Sequence, residues 1–126
     1  MRRVLIVEDD EVRCAWFRAR LAGWEIDITC DVQEAIQWLS ERDYAAILLD
    51  HDLVEEHYFS DAEDDERTGY AVAHWLVEHP DRQRDATVLI HSLNHTGARR
   101  MLDALVASGR EAEHVPFHYL RDELKF

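Results

Sequence analysis

Lysine is almost missing from this sequence: of its 14 basic residues, all but Lys125 are arginine. Chemistry that needs a positioned ammonium inside the fold therefore has only the penultimate residue to draw on. Cysteine is scarce as well. Cys14 and Cys30 do not make a disulfide framework, which fits a reducing cytoplasm, and both are expected as buried thiols acting as small hydrophobes. Positive charge is in short supply overall, with 14 Lys and Arg against 27 Asp and Glu and a net charge of −13. That balance excludes the basic footprint needed to bind duplex nucleic acid or an anionic membrane surface. The opening MRRVLIVEDD is too short an apolar stretch for a signal peptide, and no run elsewhere approaches the roughly 18 residues of a spanning helix.

The 126 residues, 47% of them hydrophobic and 33% charged, fit one domain, 1–126, with a real core. Val4–Val7, Ala45–Leu49 and Val88–Ile90 are short unbroken apolar runs, the pattern of parallel strands buried on both faces. Trp24 to Cys30 alternates and reads as a more exposed strand. A weak fifth strand is expected around His114 to Phe117. Between them lie helical stripes: Trp16, Phe17 and Leu21, stopped by Gly23; Val32, Ala35, Ile36 and Leu39 behind an Asp31–Glu34 capping box; and Val72, Trp75 and Leu76 within Tyr70 to His79, ended by Pro80. A fourth stripe of Met101, Leu102, Leu105 and Val106 follows a Thr96 cap and closes at Gly109. A short last helix starts near Leu120. Strict alternation of strand and helix predicts a doubly wound α/β domain with one parallel five-stranded sheet. The stretch 54–67, VEEHYFSDAEDDER, is long for a βα connection and carries seven acids. It reads as a solvated excursion or as a lid over the site below it.

In open parallel sheets, ligands bind beyond the carboxyl ends of the strands. Here those ends carry Glu8 and Asp9; Asp50, His51 and Asp52; and His91, Ser92 and Asn94. Asp10, beside the first pair, suits a helix cap. Carboxylates converging from neighbouring strands repel one another unless a hard divalent cation neutralises them, and Mg²⁺ or Mn²⁺ suits such a set.

VLIVEDDE, AILLD and TVLIHS at these spacings resemble the response-regulator receiver domain, the CheY-like or flavodoxin-like (βα)₅ fold. The resemblance implies strand order 2-1-3-4-5. It implies that Glu8 and Asp9 hold Mg²⁺, that Asp50 accepts a phosphoryl group, that the backbone carbonyl of Asp52 is a metal ligand, and that Ser92 senses the phosphoryl group. It also implies a phosphodonor, either a histidine kinase or a small-molecule phosphate, and a cytoplasmic monomer or weak dimer. The sequence departs from the receiver pattern where a lysine usually precedes proline after strand five: His114-Val115-Pro116 stands there instead. His114 and His118 read as surface residues, as do His57, His74 and His79.

Two further histidines depart from the pattern. His51 follows Asp50 and His91 precedes Ser92, so the two imidazoles are expected side by side at the rim of an acidic pocket. His95 lies near a helix start that favours anions. LDHDL, TGY and HSLNHTGARRM together resemble a receiver-like branch proposed to process cyclic phosphates. That resemblance implies His51, His91, Asp50 and Asp52 as metal ligands or acid–base groups on a phosphodiester. The net charge of −13 favours a small cyclic nucleotide or RNA end over a long RNA, which would need Arg99 and Arg100 to form a local basic patch. Three readings result. The favoured one is a stand-alone divergent receiver with metal-dependent phosphoryl chemistry at Asp50, used in phosphorelay signalling. The second is a metal-dependent phosphoesterase using His51 and His91, and the third is an interaction module that carries no phosphate.

Overall fold

A computed structural model describes residues 2–53 and 68–124, without the side chains of Arg121 and Glu123. The acidic stretch 54–67, with His57, lies outside the described residues. Ten elements alternate: β1 Arg3–Val7, α1 Glu11–Arg20, β2 Glu25–Thr29, α2 Val32–Glu41, β3 Ala46–Leu49, α3 Gly69–Glu78, β4 Thr87–Ile90, α4 His95–Ala107, β5 Ala112–His114 and α5 Phe117–Glu123. The five strands form one sheet in the order 2-1-3-4-5, every pairing parallel. This is the doubly wound architecture expected from the alternation. Among the described residues, no helix is long and apolar enough to cross a membrane.

Side chains alternate across each strand, and that alternation builds two core layers. Leu5, Val7, Ile47, Leu49, Val88 and Ile90 face α2, α3 and α4. Val4, Ile6, Ala46, Leu48 and Leu89 face α1 and α5, against Phe17, Leu21 and Leu120. β2 is an edge strand and largely half-buried.

Side-chain caps open α1, α2 and α4, while α3 and α5 start without one. Asp10 Oδ1 accepts from the Arg13 N–H at 2.9 Å to open α1. Asp31 Oδ1 accepts from the N–H groups of Gln33 and Glu34, but its own N–H goes to Thr29 Oγ1, so the return half of the expected box is replaced. α4 is capped by Asn94, whose Oδ1 accepts from the Gly97 N–H at 2.9 Å, and not by Thr96. The amide oxygen two residues upstream reaches the first free donors, which leaves Thr96 inside the helix.

Other local expectations shift. Val106 faces solvent, because the buried stripe of α4 runs through Gly97, Ala98, Met101 and Leu105. Strand five ends at His114, and the last helix starts at Phe117, directly behind Pro116. The thiols are not both buried. Cys30 is exposed and Cys14 half-buried, because Cys30 ends an edge strand. Arg110 donates to the carbonyls of Leu76, His79, Arg82 and Gln83, tying off the end of α3 and its following turn.

Candidate functional site

Sheet register decides which strand-end residues meet. Val7, Leu49 and Ile90 stand in one row across β1, β3 and β4. The next residues, Glu8, Asp50 and His91, continue that row: the Asp50 N–H donates to the Val7 carbonyl and the His91 N–H to the Leu49 carbonyl. By alternation all three side chains turn to the α1 and α5 face. They meet there, with a possible ligand atom from each lying within 4.8 Å of the others.

The contacts are close and buried. His91 Nε2 lies 2.9 Å from Glu8 Oε1, both side chains being fully buried. The His91 ring packs edge-on against Phe17, centroids 5.2 Å apart. Glu8 Oε2 accepts the backbone N–H groups of Asp9 and Asp10 at 3.0 and 3.1 Å, which aims Oε1 inward. Asp50 Oδ1 accepts the His51 N–H at 2.8 Å. Asp50 Oδ2 and His91 Nδ1 are buried without a hydrogen-bond partner.

Burial controls the protonation of this row. It pushes Glu8 from 4.5 up to about 7, against the opposing pull of the Asp10 N–H and the Arg13 charge. It pushes Asp50 from 3.8 up to about 7, with the neighbouring Glu8 charge adding to the rise. The same burial lowers His91 from 6.5 to about 4, so its imidazole is neutral. Paired carboxyls in a dry pocket disfavour double ionisation, and an arriving cation relieves that cost. The Asp50 oxygen beside Glu8 Oε1, which accepts no hydrogen bond, therefore fits a hard divalent cation. Ligation through His91 Nε2 would move the ring proton to Nδ1, where no acceptor waits among the described residues. His91 accordingly suits a hydrogen-bond donor to Glu8 better than a metal ligand.

The two histidines do not sit side by side. His51 is one residue further along its strand than the row containing His91, so it faces the other layer. Its Nδ1 lies 2.7 Å from Asp52 Oδ1, and Asn94 Nδ2 donates to both Asp52 oxygens at 3.2 and 3.3 Å. Gly97 is required here: a Cβ on it would come within 2.5 Å of the His51 ring. Gly69 is required for a similar reason, since its Cβ would meet the Asp50 carbonyl oxygen at 1.8 Å.

The remaining candidates divide. Asp9 is half-buried and outside the three-residue group. Asp10 caps α1. Ser92 is buried, and its Oγ accepts the Asn94 N–H at 3.0 Å. The Ser92 hydroxyl also lies beside Asp50, where it favours the ionised carboxylate. His95 is exposed at the first position of α4, its ring against His114. His114 is half-buried, with Nε2 2.9 Å from the Ser92 carbonyl. Arg99 and Arg100 are exposed, Arg99 paired with Asp103 and Arg100 over the Tyr70 ring.

One site residue went unrecognised in the sequence. Arg13 lies in the pocket, with Nε 3.1 Å from Glu8 Oε1 and Nη2 3.6 Å from Asp50 Oδ2. Its signal was a cation in the first turn of a helix, where the helix dipole disfavours positive charge.

A family profile described as "Cyclic-phosphate processing Receiver domain" matches residues 4–107. The chain belongs to that family. No curated protein matches it. Solved structures similar to this receiver domain include a response regulator from Thermotoga maritima in complex with Mg²⁺-BeF, 19% identical, TM-score 0.67, covering 98% of this chain and 96% of that one. The receiver domain of a sensor histidine kinase from Pseudomonas aeruginosa, with a magnesium ion in its active-site cleft, is 20% identical at TM-score 0.67, covering 98% and 90%. A response regulator from Burkholderia pseudomallei with a phosphorylated aspartic acid is 17% identical at TM-score 0.62, covering 99% and 67%. At these identities the likeness is one of fold.

Proposed function

We propose that this receiver domain is a divalent-metal-dependent phosphoesterase that opens small cyclic phosphates, such as a nucleoside 2′,3′-cyclic phosphate. The observation that carries this reading is the buried His91–Glu8 contact beside Asp50, joined to the family's description. It reverses the order of preference drawn from the sequence. A signalling receiver needs only oxygen ligands and a cation partner for its phospho-aspartate. Here the lysine is replaced by Val115, and a neutral imidazole is built into the acidic row instead.

Asp50 Oδ2 and Glu8 Oε1 would hold the cation, Mg²⁺ or Mn²⁺. When bound, it neutralises charge on the phosphoryl oxygens. His91 is a positioning residue: its Nε2–H fixes Glu8 Oε1, while the backbone N–H groups of Asp9 and Asp10 fix Oε2. In the reaction, the oxygen of a water bonds to phosphorus as one ring P–O bond breaks. One water proton ends on the released ring hydroxyl and the other stays with the phosphomonoester. The net charge of −13 favours a small substrate over a long RNA.

A second reading keeps Asp50 as phosphoacceptor from a histidine kinase or small phosphodonor. It is supported by Asp50 Oδ2, which accepts no hydrogen bond, and by the adjacent Ser92. One experiment tests both. Protein with Mn²⁺ is given 2′,3′-cyclic AMP or acetyl phosphate. Turnover of the cyclic nucleotide, lost in His91→Phe and partly kept in His91→Gln, supports the esterase. A stable mass gain of one phosphoryl group at Asp50 without turnover supports the phosphoacceptor.

A further inference from the structure

Histidine aside, Arg13 is the one positive side chain among the described residues in contact with Glu8 and Asp50. Its side chain is 13% exposed, and it touches the same two atoms offered to a cation, Glu8 Oε1 at 3.1 Å and Asp50 Oδ2 at 3.6 Å. Its backbone is held firmly, because its N–H is bonded to the Asp10 cap. Its long stem carries the guanidinium from that anchor to the two carboxylates, with the Phe117 ring 5.9 Å from Cζ. A guanidinium and a divalent cation cannot share these oxygens, since like charges at such range repel strongly in a dry pocket. A planar fork of N–H donors displaced to the mouth of the pocket is suited to phosphoryl oxygens.

We infer that Arg13 is a two-position cation: counter-ion to Glu8 and Asp50 in the metal-free domain, and phosphate clamp once a divalent cation has displaced it. It thereby supplies the positive charge that no lysine provides. The inference rests on the reading above only in that the site takes a cation and a phosphate. It goes further in assigning phosphate recognition to a residue of α1 rather than to the end of strand five. It also makes two demands of opposite sign on a single substitution. Removing the guanidinium removes a competitor for the metal and a donor to the phosphate.

The test is calorimetry on wild type, Arg13→Lys and Arg13→Gln, titrated first with Mn²⁺ alone. The Mn²⁺-loaded proteins are then titrated with inorganic phosphate and with 2′,3′-cyclic AMP. Arg13→Gln is expected to bind Mn²⁺ about tenfold tighter and both phosphate ligands about tenfold more weakly, a factor of ten being the scale of one charged hydrogen bond. Arg13→Lys, which keeps the charge but loses the fork, should fall between. It also serves as the probe should Arg13→Gln fail to fold by circular dichroism. Unchanged or weaker Mn²⁺ binding in the variants overturns the counter-ion role, and unchanged phosphate binding, or none in wild type, overturns the clamp. If affinities move in opposite directions but wild type does not hydrolyse the cyclic nucleotide, the esterase reading fails and the Arg13 assignment stands. If wild type hydrolyses it and Arg13→Gln leaves KM unchanged, the assignment fails and the esterase stands.

Discussion

Replacing Asp50 by Asn should stabilise the metal-free domain, and by an amount that grows with pH. Asp50 is 2% exposed, and its carboxyl is pushed from 3.8 to about 7. A carboxyl raised in this way opposes folding once the unfolded chain ionises near its ordinary value. The cost rises with pH and is complete above the folded value. A shift of about three units at about 1.4 kcal/mol per unit sets the full cost near 4 kcal/mol at about pH 8, against less than about 1 kcal/mol at about pH 4. Asparagine keeps the Oδ1 that accepts the His51 N–H and replaces the oxygen that accepts no hydrogen bond, so shape is conserved while the charge facing Arg13 is removed. Urea unfolding followed by tryptophan fluorescence, with chelator present, measures the difference between the two proteins across that range. Wild type and Asp50→Asn should converge in acid and separate by up to about 4 kcal/mol in mild alkali. A gap that stays constant with pH would refute the argument, because it would show that the burial cost is not one of ionisation. The same variant should lose Mn²⁺ binding, so stability and function trade against each other at this position.

Four further outcomes follow from the same geometry. With Glu8 and Asp50 both near 7, cation binding should release protons, so apparent Mn²⁺ affinity should rise as pH rises through about 7; calorimetry in buffers of different ionisation enthalpy counts those protons. His91 acts in the other sense: its folded value of about 4 lies below 6.5, so its contribution to stability is lost as pH falls between them, and His91→Gln should flatten that acid limb in denaturant titrations. Gly97→Ala should cost about 1–3 kcal/mol through its contact with the His51 ring, while Gly69→Ala should cost more, because it meets backbone that cannot turn aside; thermal melts rank the two. Asn94→Ala removes both the α4 cap and the donor to Asp52, and should lower unfolding free energy by about 1–2 kcal/mol in the same assay.

The fold could be read from period alone. Unbroken apolar runs such as Ala46–Leu49, separated by stripes such as Val32, Ala35 and Leu39, admit few arrangements other than a covered parallel sheet. Helix starts were less legible, since Asn94, Ser92 and Thr96 all suit a cap and only the path of the backbone selects Asn94. Strand five was hardest, being three residues with no apolar run. At the site, Glu8 and Asp50 stood out because acids ending apolar runs are informative in themselves. Pairing His51 with His91 was one residue out of step, whereas Ser92 does lie beside Asp50. Side chains alternate with a period of two, so a shift of one exchanges every partner. Arg13 was missed because a cation in the first turn of a helix marks an oddity of charge without fixing where its tip lies.

Strand ends, acidic residues and the want of lysine are properties of the chain, and they determined the fold class and the end of the sheet where chemistry sits. Which side chains share the pocket was decided by register across β1, β3 and β4, a relation among segments about forty residues apart in sequence. Crossover helices set that register through packing against the whole sheet, and no local run of residues encodes it. Tertiary structure thus put His91 with Glu8, sent His51 to the opposite layer, and brought Arg13 into the space between two buried carboxyls.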